Sequence, residues 1–157
     1  MTKDQKSILI LGMGNILLQD EGVGVRAVEY LQDKRLPANV ELLDGGTGGF
    51  TLLPEIMKYD EVILIDATLD DQPVGTIRVI QPKFSKDFPK AMSTHDIGLK
   101  DLIDSASILG KLPPLHLIVV TIKTIQPMDM QLSPEVARVL PEVHGVVLKV
   151  LEKIGLA

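Results

Sequence analysis

Ser7-Ile-Leu-Ile-Leu-Gly-Met13 is the stretch on which the fold turns. Its residues Ile8 to Leu11 form a continuous apolar run and do not alternate, the pattern of a strand covered on both faces in a parallel sheet flanked by helices. Such a strand belongs at the centre of the sheet. After Gln19-Asp20, apolar residues at Val23, Val25, Ala27, Val28 and Leu31 and charges at Arg26, Glu29, Asp33 and Lys34 predict a helix. Val40 to Leu43 predicts a second strand, which runs into Asp44-Gly45-Gly46-Thr47-Gly48-Gly49. A short helix over Leu52 to Met57 leads to Glu61-Val-Ile-Leu-Ile-Asp66, a third buried strand that ends on an acid. The order β-α-β-α-β implies a parallel sheet with right-handed crossovers and helices on both faces.

Beyond Asp66 the turn-like Asp70-Asp71-Gln72-Pro73 precedes Gly75 to Ile80, which alternates and predicts a strand antiparallel to its predecessor at the sheet edge. Pro82 to Thr94 reads as a polar loop, Ile97 to Leu109 as a helix and Leu115 to Ile122 as an apolar strand. A last helix begins near Ser133-Pro134-Glu135, where Ser suits the N-cap and Pro the first turn. The expected architecture is a doubly wound α/β domain over 1–157, a mostly parallel twisted sheet of about five strands with one antiparallel edge strand.

Composition narrows the function. A chain of 157 residues with 45% hydrophobic residues suffices for one domain with a proper core, built from aliphatic side chains because only 3% are aromatic. It has no cysteine, which excludes thiol nucleophiles, thiolate zinc sites, iron–sulfur centres and disulfide scaffolds; any metal must be held by nitrogen and oxygen. A net charge of -5 argues against nucleic acid and anionic membrane surfaces as partners. The apolar stretch from Ile8 to Leu18 is too short to span a bilayer and is broken by Gly12, Gly14 and Asn15, so a cytoplasmic protein is expected.

Gly12-Met13-Gly14 between strand and helix invites a dinucleotide reading, with Asp44 as the ribose acid. Against it, the third fingerprint position is Leu17, and Asp20 and Glu21 would repel the phosphates. The plain reading of those acids is that they complement the helix dipole, and of Asp66 that it caps a loop. The alternative is that Glu21 and Asp66, which follow the first and third strands, converge at the carboxyl edge of the sheet, where open α/β sheets bind ligands. Of three histidines, His116 and His144 sit in apolar elements and read as packing or surface residues. His95, in Met92-Ser-Thr-His-Asp-Ile-Gly-Leu99, lies in a polar segment before a helix and is the best third ligand. Glu, Asp and His together suit a divalent first-row metal such as nickel or zinc, and a cation relieves the repulsion of two adjacent carboxylates. No Gly-x-Ser-x-Gly is present to support serine chemistry.

Taken together these segments resemble the [NiFe]-hydrogenase maturation proteases, the endopeptidases that trim the C-terminal extension of the hydrogenase large subunit. Gly12 to Gly24 is similar to the family's opening motif, Asp44 to Gly49 to its second glycine-rich segment, and Ile65-Asp66-Ala67 and Ser93 to Leu99 to its other two signatures. The resemblance implies that Glu21, Asp66 and His95 form the metal-binding and catalytic trio, and that the substrate is a large-subunit precursor whose own nickel is probed before cleavage. Zinc or another divalent ion could substitute. On this view Asp44, Gly45, Gly46 and Thr47 hold the cleaved segment, with Asp20, Asp44 and Asp96 in reserve for orienting water or a ligand, and the protein acts as a monomer. Thr124 to Pro134 is shorter and poorer in glycine than is common in the family, a departure that bears on which large subunit is served. Two other readings stand beside this one: a nickel-binding assembly factor without hydrolysis, and a nucleotide-binding domain. A carboxylate that acts without a catalytic metal, its pKa raised by neighbours, is a variant of the protease mechanism.

Overall fold

The structure is a computed structural model that describes residues 5–82, 97–110, 112–123 and 126–156. Five strands, β1 (Ile8–Met13), β2 (Val40–Gly46), β3 (Glu61–Thr68), β4 (Ile77–Ile80) and β5 (Leu115–Thr121), form one sheet in the order β2-β1-β3-β5-β4. Strands β1, β2, β3 and β5 are parallel, and β4 pairs antiparallel with β5. Helices α1 (Val23–Leu31) and α5 (Leu140–Leu156) cover one face, where Val28, Leu31, Val143 and Val147 meet Ile8, Ile10, Ile63 and Ile118. The short α2 (Leu53–Ile56) and α3 (Ile97–Ile108) cover the other, where Ile56 and Ile103 meet Leu9, Leu11, Leu64 and Leu117. The odd and even residues of each inner strand therefore enter different cores, which is why β1, β3 and β5 read as unbroken apolar runs. No helix among the described residues is long and apolar enough to cross a membrane.

The doubly wound sheet agrees with the reading from sequence, and several particulars differ. Strand β4 was expected beside its predecessor β3, yet β5 lies between them. Residues of β3 and β5 are buried throughout, so the two pair with each other, while the alternating β4, with Val79 exposed, takes the edge. Strand β2 extends through Gly46 and β3 through Thr68, so Asp66 lies inside its strand. The helix expected over Leu52 to Met57 is a 3-10 turn (Gly49–Leu52) followed by α2. The last helix is divided into α4 (Pro134–Ala137) and α5. Ser133 is the N-cap of α4, its Oγ accepting from the Val136 N–H at 3.4 Å. Pro141 has no N–H to continue the ladder, so the second helix restarts with proline in its first turn. Residues 83–94 of the expected polar loop lie outside the described residues.

Helix α1 lies so close to the sheet that a Cβ on Gly24 would stand 2.1 Å from the Ile65 carbonyl oxygen and 2.2 Å from that of Met13. These neighbours are backbone atoms and cannot step aside. At the opposite, amino edge, His116 is buried and not at the surface, its Nε2 2.8 Å from Glu61 Oε1, while Lys6 Nζ donates to Glu61 Oε2 at 2.9 Å. Burial pushes the Glu61 carboxyl up, but the hydrogen bonds and charges of Lys6 and His116 outweigh it and hold the group below its ordinary 4.5.

Gly24→Ala is expected to destabilise the fold by about 3 kcal/mol, the upper range for overpacking, read as a drop in the denaturation midpoint. A carboxyl held low in the folded state stabilises at pH values above its unfolded pKa and loses that contribution as the pH falls through the folded one. Glu61→Gln is therefore expected to cost about 1–3 kcal/mol at pH 7 and to flatten the acid limb of stability against pH, measured by urea denaturation across the acid range.

Candidate functional site

The chain leaves β1 toward β2 on one side and later returns to β3 on the other, so the strand order reverses between β1 and β3. Gly12 pairs with Ile65, which sets the end of β1 beside Asp66. Beyond Met13 the backbone folds back on itself: Asn15 N–H donates to the Glu21 carbonyl at 3.2 Å and Glu21 N–H to the Leu18 carbonyl at 3.0 Å. Gly14 permits this closure with φ 145° and no side chain, since a Cβ would meet the Glu21 carbonyl oxygen at 2.1 Å. The 3-10 turn Gln19–Gly22 then packs on β3, and Gly24 rests on the Ile65 carbonyl. Glu21, half-buried, and Asp66, fully buried, are thus carried by elements in direct contact although 45 positions separate them.

Asp66 Oδ1 accepts the Ala67 N–H at 2.8 Å. Its place in β3 alternates with Val62 and Leu64, which puts it on the face covered by α2 and α3. Helix α3 leads into the amino end of β5. His95, the third expected donor, precedes α3 by two positions and lies outside the described residues, as does Asp96. Among the described residues no three His, Asp or Glu side chains are gathered for a metal. What the described part offers is two carboxylates at the switch point, hard oxygen donors of the kind a divalent ion takes. A carboxylate buried as deeply as Asp66 is costly unless donors or a cation compensate it.

The expected substrate-holding residues Asp44, Gly45 and Gly46 form the end of β2, and Thr47 follows in an exposed turn. This segment is joined to the β1 loop by Gly14 N–H donating to the Gly46 carbonyl at 2.8 Å. Asp44 Oδ1 accepts the Gly46 N–H at 2.9 Å, a local turn, so the acid that a nucleotide reading assigns to ribose is used to shape its own loop. Strand β2 ends the sheet, and among the described residues its one strand neighbour is β1.

Asp20 lies in the first turn of the 3-10 segment, as read from sequence, and its side chain is fully buried. Oδ1 accepts the Ser133 N–H at 2.8 Å, and Oδ2 accepts from Ser133 Oγ at 2.7 Å. Its own N–H donates to Gln126 Oε1 at 2.9 Å. It therefore ties the start of α1 to the start of α4 across 113 positions, a contact that local spacing could not reveal. Asp20→Ala is expected to lower stability by about 2–3 kcal/mol by leaving the buried Ser133 N–H without its acceptor. Peptidase activity per folded molecule should persist, and its loss at unchanged stability would return Asp20 to the site.

Known proteins share this sequence family and this fold. A family model described as hydrogenase maturation protease matches residues 25–150. The hydrogenase 2 maturation protease of Escherichia coli (strain K12) is 36% identical, over 94% of this chain and 92% of its own. The hydrogenase expression/formation protein HupD of Thiocapsa roseopersicina is 35% identical over 98% of this chain and 71% of its own. Among solved structures, the hydrogenase maturating endopeptidase HybD from E. coli superposes with a TM-score of 0.85 at 36% identity, covering 94% of this chain and 93% of its own. The [NiFe] hydrogenase maturation protease HybD from Thermococcus kodakarensis gives 0.73 at 26% identity, over 91% and 97% of the two chains. By this family match and these identities, the chain belongs to the hydrogenase maturation protease family.

Proposed function

We propose that this protein is the endopeptidase that removes the C-terminal extension of a [NiFe]-hydrogenase large-subunit precursor, acting once nickel is in place in that substrate. The observation that carries the reading is the packing of the turn that bears Glu21 against β3, the strand that bears Asp66, at the β1/β3 switch point, where a doubly wound sheet receives its ligand. Glu21, Asp66 and His95 are the groups that grip the substrate's nickel and so test whether it is loaded. Such a cation, once held, polarises the scissile carbonyl or lowers the pKa of an attacking water. The protein's own part is to hold the peptide still and keep the carboxylates on one side of it.

The end of β2 supplies the peptide track. As the last strand of the sheet, with a glycine-rich terminus, it offers backbone N–H and C=O groups to an extended segment laid beside it, the mode of strand addition. Asp44 to Thr47 thereby contact the cleaved segment mainly through backbone, which tolerates variation in its side chains. The absence of cysteine from the chain fits the same reading, since thiolates here would compete for the substrate's metal. The proposal includes action as a monomer in the cytoplasm.

Purified protein incubated with nickel-loaded and nickel-free precursor is expected to shorten the loaded form only, read by mass. Failure to cut the loaded cognate form overturns the protease reading, and binding of nickel without cutting would favour the assembly factor. Glu21→Gln, Asp66→Asn and His95→Ala are each expected to abolish cleavage and to weaken nickel or zinc binding by at least about tenfold, with the thermal melt retained. Unchanged metal affinity in all three places the metal elsewhere.

A further inference from the structure

Next to Glu21 the structure carries an apolar surface that the reaction itself does not use. Leu17 is 50% exposed, Met128 83% and Met130 55%. The three belong to two loops that run side by side, joined at a parallel bridge between Leu18 and Asp129. Gln19 N–H donates to the Asp129 carbonyl at 2.7 Å and Asp129 N–H to the Leu17 carbonyl at 3.1 Å. Leu17 and Met128 are register neighbours just before the bridge, and Met130 follows just after it.

These loops are held firmly. Arg26 Nη2 donates to the Met130 carbonyl at 2.6 Å, and Asp20 secures both ends of the second loop through Gln126 and Ser133. Gln19 adopts φ 46°, a left-handed conformation that a non-glycine residue adopts at a cost, and its N–H makes one of the bonds joining the two loops. Strain of that kind persists only where surrounding contacts over-determine it. A rigid ribbon that nevertheless turns a leucine and two methionines to solvent has the composition of a recognition surface, because methionine adapts its shape to an apolar partner.

We propose that Leu17, Met128 and Met130 form a docking platform for the folded body of the large-subunit precursor, through an apolar patch flanking its cleaved extension. The inference rests on the reading of the Glu21 and Asp66 site given above, and it names what that site leaves open, how the substrate's bulk is recognised. Continuity argues for this occupant. The Leu18 carbonyl accepts the Glu21 N–H, so the platform and the site carboxylate share one turn of chain. A protein whose peptide bond reaches Glu21 and Asp66 from solvent must cover the adjoining rim.

The test compares the full-length wild type with Leu17→Ser and with the double variant Met128→Ser, Met130→Ser, on nickel-loaded precursor. Both variants are expected to raise KM about tenfold or more, with kcat within about twofold and the thermal melt unchanged. Ile108→Ser, which alters an equally exposed residue at the end of α3 toward the amino edge, should leave KM unchanged. If wild type cleaves and the platform variants keep its KM, the docking proposal falls while the protease reading stands. Failure of wild type both to bind and to cleave the loaded precursor overturns the site reading and the platform with it. A variant that changes the oligomeric state in size-exclusion chromatography without raising KM would assign the face to a second copy of this chain and overturn the proposal.

Discussion

The contact of Gly24 with two strand carbonyls governs the rest of the molecule. A helix normally stands off a sheet by the depth of its side chains, but here the Gly24 backbone lies against the Met13 and Ile65 carbonyls, and Gly12 yields to the Gly24 carbonyl from the other side. With α1 drawn in this far, the 3-10 turn before it is pressed onto β3. That turn carries Glu21, and β3 carries Asp66. The approach of the turn bearing Glu21 to the strand bearing Asp66 is thus a consequence of backbone packing, and it would be lost if α1 stood a side chain further out.

The two edges of the sheet treat buried acid in different ways. At the amino edge Glu61 is neutralised within the protein by Lys6 and His116, and the arrangement stabilises the fold. At the carboxyl edge the chain places glycines, the end of the edge strand β2 and loops bound to each other by backbone hydrogen bonds, with carboxylates set among them. Asp20 is the exception there, since Ser133 uses both of its oxygens and makes it a strut for the loops that frame the site. Two adjacent acids, Asp20 and Glu21, thus differ in setting, the first fully buried against Ser133 and the second half-buried.

Much of the architecture was legible because the inner strands are apolar on both faces, and that pattern has few meanings. Ile8 to Leu11, Val62 to Ile65 and Leu115 to Val120 could be assigned as buried strands on this ground alone. The partner of β4 was not legible: pairing depends on which strand the later crossover inserts beside β3, and no local feature of Ile77 to Ile80 encodes it. The division of the last helix was written in Pro141 and could have been read there. His116, which reads from sequence as a packing or surface residue, has the Glu61 carboxyl as a partner 55 positions away, and only the register of β3 against β5 brings them together.

By itself the sequence determined the parallel sheet, its switch point and the residue types gathered there, because periodicity and glycine spacing act over a few neighbouring positions. It marked Glu21 and Asp66 as acids that the first and third strands bring toward the same edge of the sheet. Tertiary structure alone decided which acids reach the rim, which are buried as struts, and that Leu17 comes to lie beside Met128. Those outcomes depend on contacts between segments up to 113 positions apart, and such contacts are set by how helices and strands pack, which no local pattern of residues specifies.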